Sequence, residues 1–81
     1  MMNAIIEVDL HGLNVREAQE ALDEALRNAD QTVYRVRAVH GFKNGTALRD
    51  MIRAEYRWHM KVLRVCPGPN RGQTDLVLRE Y

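Results

Sequence analysis

The stretch that decides the fold is residues 32–41, TVYRVRAVHG, which is rich in β-branched and aromatic residues. Arg35 and Arg37 alternate with apolar neighbours, a pattern that favours a β-strand with one buried face. A His-Gly pair, His40 and Gly41, directly follows the strand. The loop after this strand therefore begins with a histidine, which carries an imidazole, and a glycine, which can adopt backbone conformations that other residues disfavour.

The same arrangement occurs near the start of the chain. Residues 5–10, IIEVDL, alternate in polarity and lead directly into His11 and Gly12. An amphipathic helix is predicted after each His-Gly pair. The first begins after Asn14, which has a glutamate three residues on as its capping-box partner, and the second covers residues 46–58.

Two further strands complete the predicted fold. They cover Lys61–Cys66 and Thr74–Arg79 and pair antiparallel around a loop rich in proline and glycine. The order is β-α-β-α-β-β, and right-handed crossovers place both helices on one face of the sheet. The sequence predicts an α/β two-layer sandwich with a four-stranded mixed sheet. Its length predicts a single domain, residues 1–81, with a core from about 5 to 79.

Composition excludes some classes of protein. Apolar residues make up 46% and charged residues 28%, as in an ordinary globular domain. No apolar run approaches the ~20 residues of a membrane span, and no signal peptide is recognised at the start. The single cysteine suits a reducing compartment, so a cytoplasmic location is expected.

Charge is distributed unevenly along the chain. Residues 14–31 carry a net charge near −3, whereas residues 32–64 carry one near +6. This asymmetry predicts one surface that faces a polyanion, DNA or RNA. Arg35 and Arg37 on the open sheet face, and the stripe that Arg49 begins on the second helix, are expected to contact phosphates; the alternative is a solvated surface.

The two His-Gly loops are expected to converge. The carboxyl ends of parallel strands meet at one edge of a sheet, so Asp9, His11 and His40 would lie together there. Asp9 would orient the ring of His11. One histidine would take a proton from water or a ribose 2′-hydroxyl, and the other would protonate the leaving oxygen. The structural alternative is that Asp9 caps its loop and His11 binds a backbone carbonyl.

The loop before the second helix is a candidate phosphate site. Glycines allow close approach of the backbone, and a helix N-terminus supplies free N–H groups. The residues expected to contact phosphate at this edge are Gly12, Gly41, Lys43, Gly45, Thr46 and Arg49. No metal-ligand pattern is recognised; Mg²⁺ held by Asp9 is left open as a cofactor, although one carboxylate makes a poor site.

The positions of three large apolar residues can also be predicted. Met51 and Met60 are expected in the core. Trp58 is expected to cover the end of the second helix, with stacking on a nucleobase as the alternative.

These motifs resemble the small MutS-related (Smr) domain. The resemblance runs from about Ile5 to Leu78 and rests on VDLHG at residues 8–12, on His40-Gly41 and on GTALR at residues 45–49. It implies a two-layer α/β sandwich that binds DNA or RNA and, in several members, nicks or cleaves it. It also implies the following site residues: Asp9, His11, His40, Gly41 and Gly45. The family usually has one residue between the two glycines of the second loop, whereas residues 42–44 separate them here.

Three hypotheses follow. The first is a nucleic-acid-binding protein with endonuclease activity, and the second is a module that binds nucleic acid or ribosomes without cleavage. The third is an adaptor whose basic face meets an acidic protein. The sequence leaves open the choice of DNA or RNA, the metal dependence and the oligomeric state.

Overall fold

The computed structural model describes residues 4–42 and 46–80. Its elements follow the predicted order: β1 Ala4–Asp9, α1 Val15–Asn28, β2 Val33–Val39, α2 Ala47–Glu55, β3 Arg64–Pro67 and β4 Gln73–Val77. Two helices and one four-stranded mixed sheet confirm the predicted α/β two-layer sandwich.

The strand order in the sheet is β1-β2-β4-β3. β1 and β2 are parallel, and β4 is antiparallel to both of its neighbours. Gln73, the first residue of β4, pairs with Val39, the last residue of β2. The loop between β3 and β4 therefore returns to the edge where β1 and β2 end.

Both helices pack on the same face of the sheet. A single cluster of buried side chains joins Leu22 and Leu26 of α1, Ile52 of α2, and Val36 and Leu76 of the sheet. Burying such a side chain stabilises the fold by about 1.5–3 kcal/mol. This packing fixes the starts of α1 and α2 beside the ends of β1 and β2. Neither helix in the part of the chain described here is long and apolar enough to cross a membrane.

The predicted capping box at the start of α1 is confirmed. The N–H of Glu17 donates to Asn14 Oδ1 at 2.8 Å, and the N–H of Asn14 donates to Glu17 Oε1 at 3.0 Å. Two backbone donors that would lack partners are satisfied reciprocally, so the helix begins at a defined residue.

Three predicted boundaries are wrong by two residues or more, and the first is the end of β4, at Val77 rather than Arg79. β3 begins at Arg64 rather than Lys61, because residues 59–62 form a turn in which the N–H of Val62 donates to His59 O at 3.0 Å. α2 ends at Glu55, and the chain continues as a short 3₁₀ helix, Tyr56–Trp58.

Two of the three large apolar residues lie outside the core. Met51 is buried as predicted, but Met60 is 94% exposed and Trp58 is 75% exposed. The predictions that Met60 fills the core and that Trp58 covers the helix end are therefore wrong.

Candidate functional site

The ends of β1 and β2 bring the two His-Gly loops to one edge. Asp9 pairs with Val39 across the parallel ladder, and the N–H of Leu10 donates to Val39 O at 2.8 Å. His11 and His40 then leave the sheet side by side. Both line a cleft of about 700 Å³ that is bounded on its other side by the first turns of α1 and α2.

Asp9 and His11 form a hydrogen-bonded pair at this edge. Asp9 Oδ1 lies 2.7 Å from His11 Nδ1 and also accepts the backbone N–H of His11 at 3.1 Å. Because a carboxylate only accepts, Nδ1 carries the proton and donates, and Nε2 is left for a substrate. The hydrogen bond and charge of Asp9 raise the pKa of His11, and the same contacts lower the pKa of Asp9.

The turn after His11 depends on Gly12. Gly12 has φ +79°, a conformation that side chains disfavour, and it lines the cleft together with His11. Leu10 is fully buried between Asp9 and His11. The buried side chain of Leu10 and the positive φ of Gly12 thus position the His11 imidazole at the mouth of the cleft.

His40 has a different set of partners. Its Nδ1 lies 2.6 Å from the carbonyl oxygen of Gly41, and its Nε2 lies 2.8 Å from the hydroxyl of the buried Thr74. Since the carbonyl only accepts, Nδ1 is the donor to it, and Nε2 is hydrogen-bonded to the Thr74 hydroxyl, which can donate or accept. Both ring nitrogens of His40 are therefore engaged within the fold.

The backbone around His40 is also held. The N–H groups of His40 and Gly41 both donate to Gly72 O, at 2.9 and 3.0 Å. Gly41 has φ +77°, and a Cβ on Gly72 would lie 3.2 Å from the Cα of Gly41. The imidazole, two glycines and Thr74 fix where the second loop leaves the sheet.

Part of the predicted phosphate loop lies outside the described residues, namely Lys43 and Gly45. Thr46 occupies the N-cap position of α2, but its hydroxyl donates to Asp50 Oδ2 at 2.8 Å and makes no cap hydrogen bond. Arg49, one turn into α2, lines the cleft.

A second cleft of about 670 Å³ adjoins the first and shares Phe42 and Arg49 with it. It adds Arg53 of α2 and Arg71 of the β3–β4 loop. Sequence reasoning did not include Arg71 in the site, because the position of this loop depends on β4 lying next to β2. In the structure, the pairing of Gln73 with Val39 is what brings this loop, and Arg71 with it, to the site.

Arg35 and Arg37 lie on the open face of the sheet, as strand parity predicts, but they face a partner within the fold. The fully buried Asp75 accepts from Arg35 Nη1 at 2.8 Å and from Arg37 Nε and Nη2 at 2.9 and 3.0 Å. Only 26% and 19% of the two arginine side chains is exposed. The arginines of α2 and Arg71 are therefore the stronger candidates for phosphate contact.

Within residues 4–42 and 46–80, no three His, Cys, Asp or Glu side chains come together as a metal-binding group. Mg²⁺ commonly takes only one or two carboxylates and completes its shell with water and substrate phosphate. Metal dependence is therefore a question for experiment.

The geometry is that of a small open-faced α/β domain with a cleft at one edge of its sheet. Family comparison agrees: the Smr domain profile matches residues 8–77, and the chain belongs to this family, which is associated with nucleic-acid binding and nicking. The crystal structure of the Smr domain of Thermus thermophilus MutS2 is similar, with a TM-score of 0.82 and 36% identity over 93% of this chain and 99% of that one. A search of curated proteins found no significant match.

Proposed function

We propose that this chain binds DNA or RNA with a phosphate at the edge where β1 and β2 end, and that it cleaves the phosphodiester there. The observation that carries this proposal is the Asp9–His11 pair, an exposed imidazole that a carboxylate orients at the mouth of a cleft. The association of the Smr family with nucleic-acid binding and nicking supports it.

Binding relies on the cations beside the cleft. Arg49 lies between the two clefts, and Arg53 and Arg71 line the second one. Guanidinium groups contact phosphates in bidentate geometry, and each neutralised phosphate releases condensed counterions. Affinity should therefore fall as the salt concentration rises.

Cleavage uses His11 as the general acid. Water attacks the phosphorus and loses its proton to solvent, the bond from phosphorus to the leaving oxygen breaks, and that oxygen takes the Nε2 proton of His11. The raised pKa keeps more of His11 protonated near neutral pH, and the exposed ring regains its proton from solvent. Asp9 stabilises the imidazolium and fixes which nitrogen faces the phosphate.

In this scheme His40 is a positioning residue. Its ring is hydrogen-bonded to Gly41 and Thr74 and so fixes the end of β2 beside the first loop, while His11 does the proton transfer. The same observation favours a second candidate function, a module that binds nucleic acid or ribosomes without cleavage. Because both ring nitrogens of His40 are engaged, His40 is not free to act as the second acid–base group that a two-histidine scheme needs.

The test is cleavage of labelled single-stranded RNA, duplex DNA and branched DNA, each with Mg²⁺ or with EDTA. His11→Ala should lower the cleavage rate by ~10²–10⁴-fold while binding is kept, which is the usual contribution of a general acid. Asp30→Asn is the control. Asp30 is an exposed carboxylate that, like Asp9, accepts a hydrogen bond from the backbone N–H two residues further on, but it lies at the opposite end of the sheet from the cleft.

Cleavage that is undiminished in His11→Ala would overturn the proposed site. Binding without cleavage of any substrate, with or without Mg²⁺, would leave the binding module as the function. Activity that EDTA abolishes would assign Mg²⁺ a part in the reaction.

A further inference from the structure

Trp58 is presented to solvent at the far end of α2 from the histidine edge. It is the only tryptophan of the chain, it is 75% exposed, and the guanidinium carbon of Arg57 lies 4.8 Å from its ring centroid. An arginine over one face of an indole ring restrains it and leaves the other face open. A large, preoriented aromatic surface of this kind suits stacking on a flat ligand.

The side chain of Trp58 also lines a cavity of about 350 Å³ that is separate from the two clefts. Asp23 and Glu55 lie on its wall. The hydroxyl of Tyr56 donates to Asp23 Oδ1 at 2.7 Å, and Gln19 Nε2 donates to Glu55 Oε2 at 2.6 Å. A carboxylate accepts about four hydrogen bonds, so both retain capacity to accept from a ligand.

A basic track connects this cavity to the histidine edge. Arg49, Arg53 and Arg57 follow one another at four-residue steps along α2 and the 3₁₀ helix. Arg49 lies at the first cleft, and Arg57 lies at Trp58. At ~1.5 Å per residue the track is about 12 Å long, a distance that a few nucleotides of a single strand can span.

We propose that Trp58 is a stacking platform for an unpaired base of a single strand whose backbone follows these arginines from the histidine edge. The proposal rests on the proposed nucleic-acid binding and specifies its substrate as a strand with an unpaired segment. Asp23 and Glu55 accept hydrogen bonds from a base amino group, such as cytosine N4. Thymine and uracil present a single N–H between two carbonyl oxygens and fit this wall less well.

The experiment is titration of the intact chain with oligo(dC), oligo(dT) and a blunt DNA duplex, followed by tryptophan fluorescence and by anisotropy of the labelled DNA. Because Trp58 is the only tryptophan, quenching reports on this one position. We expect strong quenching by oligo(dC), less by oligo(dT) and none by the duplex. Trp58→Ala should weaken oligo(dC) binding by at least about fivefold, the lower limit for a stacked base, and Trp58→Phe should restore most of it.

Met60→Ala is the matched control, because Met60 is also a large exposed apolar residue, two positions further along, but has no aromatic face. Oligo(dC) that binds by anisotropy without quenching, or that binds Trp58→Ala as tightly as Met60→Ala, overturns this inference and leaves the proposed function standing. If no DNA or RNA binds even at low salt, the proposed function fails and this inference fails with it.

Discussion

Replacing Asp75 should be the most destabilising single change on the open face of the sheet. The fully buried carboxylate accepts three hydrogen bonds from Arg35 and Arg37 at 2.8–3.0 Å. Asp75→Asn keeps the shape but removes the charge, which leaves two guanidinium groups with little access to water. Removing one partner of a buried ion pair costs about 3–5 kcal/mol.

The structure places this change at the lower end of that range. A quarter of the Arg35 side chain and a fifth of the Arg37 side chain reach solvent, so water partly screens the unpaired charges. We expect a loss of about 3 kcal/mol, against a total of about 4–12 kcal/mol for a chain of this length. The melting temperature should fall by roughly 12–24 °C.

The assay is urea and thermal unfolding followed by circular dichroism. Glu80→Gln is the matched control, because Glu80 pairs with Arg64 at 2.7 Å but both side chains are more than half exposed. Such surface pairs contribute about 0–1 kcal/mol. An Asp75→Asn variant that loses no more stability than Glu80→Gln would refute the view that Arg35 and Arg37 are held by the fold.

Three further predictions follow from the site and its supports. Asp9→Asn removes the negative charge that, with its hydrogen bond, raises the pKa of His11, and it leaves only a weaker neutral acceptor. The pH above which cleavage declines should therefore move down towards ~6.5, and a pH–rate profile that does not move contradicts this. Arg49→Ala should reduce the slope of log affinity against log salt concentration by the amount that corresponds to about one phosphate contact, whereas Arg37→Ala should leave the slope unchanged. The slopes are measured by anisotropy titrations at several salt concentrations. Equal slopes for the two variants would argue against phosphate contact by the α2 surface. Asn14→Ala removes the capping box and should cost about 1 kcal/mol in urea unfolding, with binding retained; a loss below a few tenths would show that packing alone fixes the start of α1.

Local patterns predicted most of the fold. Alternation gave the two parallel strands, and the motif from Asn14 to Glu17 gave the start of α1, because each depends on residues near in sequence. The open face of the sheet was also predicted by strand parity. The register that places Asp75 opposite Arg37 was not, because it joins residues 38 positions apart and depends on β4 lying next to β2.

The exposed residues were harder to predict for a similar reason. From residue type alone, Met60 was expected in the core and Trp58 over the end of the second helix. The core here is already filled from both helices, and the turn at residues 59–62 directs the segment outward. Whether an apolar residue is exposed depends on whether other parts of the chain pack over it. A local sequence pattern does not carry that information.

The two histidines differ because of their partners rather than their positions in the motif. His11 donates to an ionised, exposed carboxylate, an arrangement that favours the charged ring and leaves Nε2 for a substrate. His40 donates to a peptide carbonyl and shares a second hydrogen bond with a buried hydroxyl, so both of its ring nitrogens are engaged within the fold. Proton transfer by His40 would require it to release Thr74 or Gly41 and so to loosen the end of β2. The cleavage that we propose is therefore assigned to His11 in the first loop, with His40 as a positioning residue.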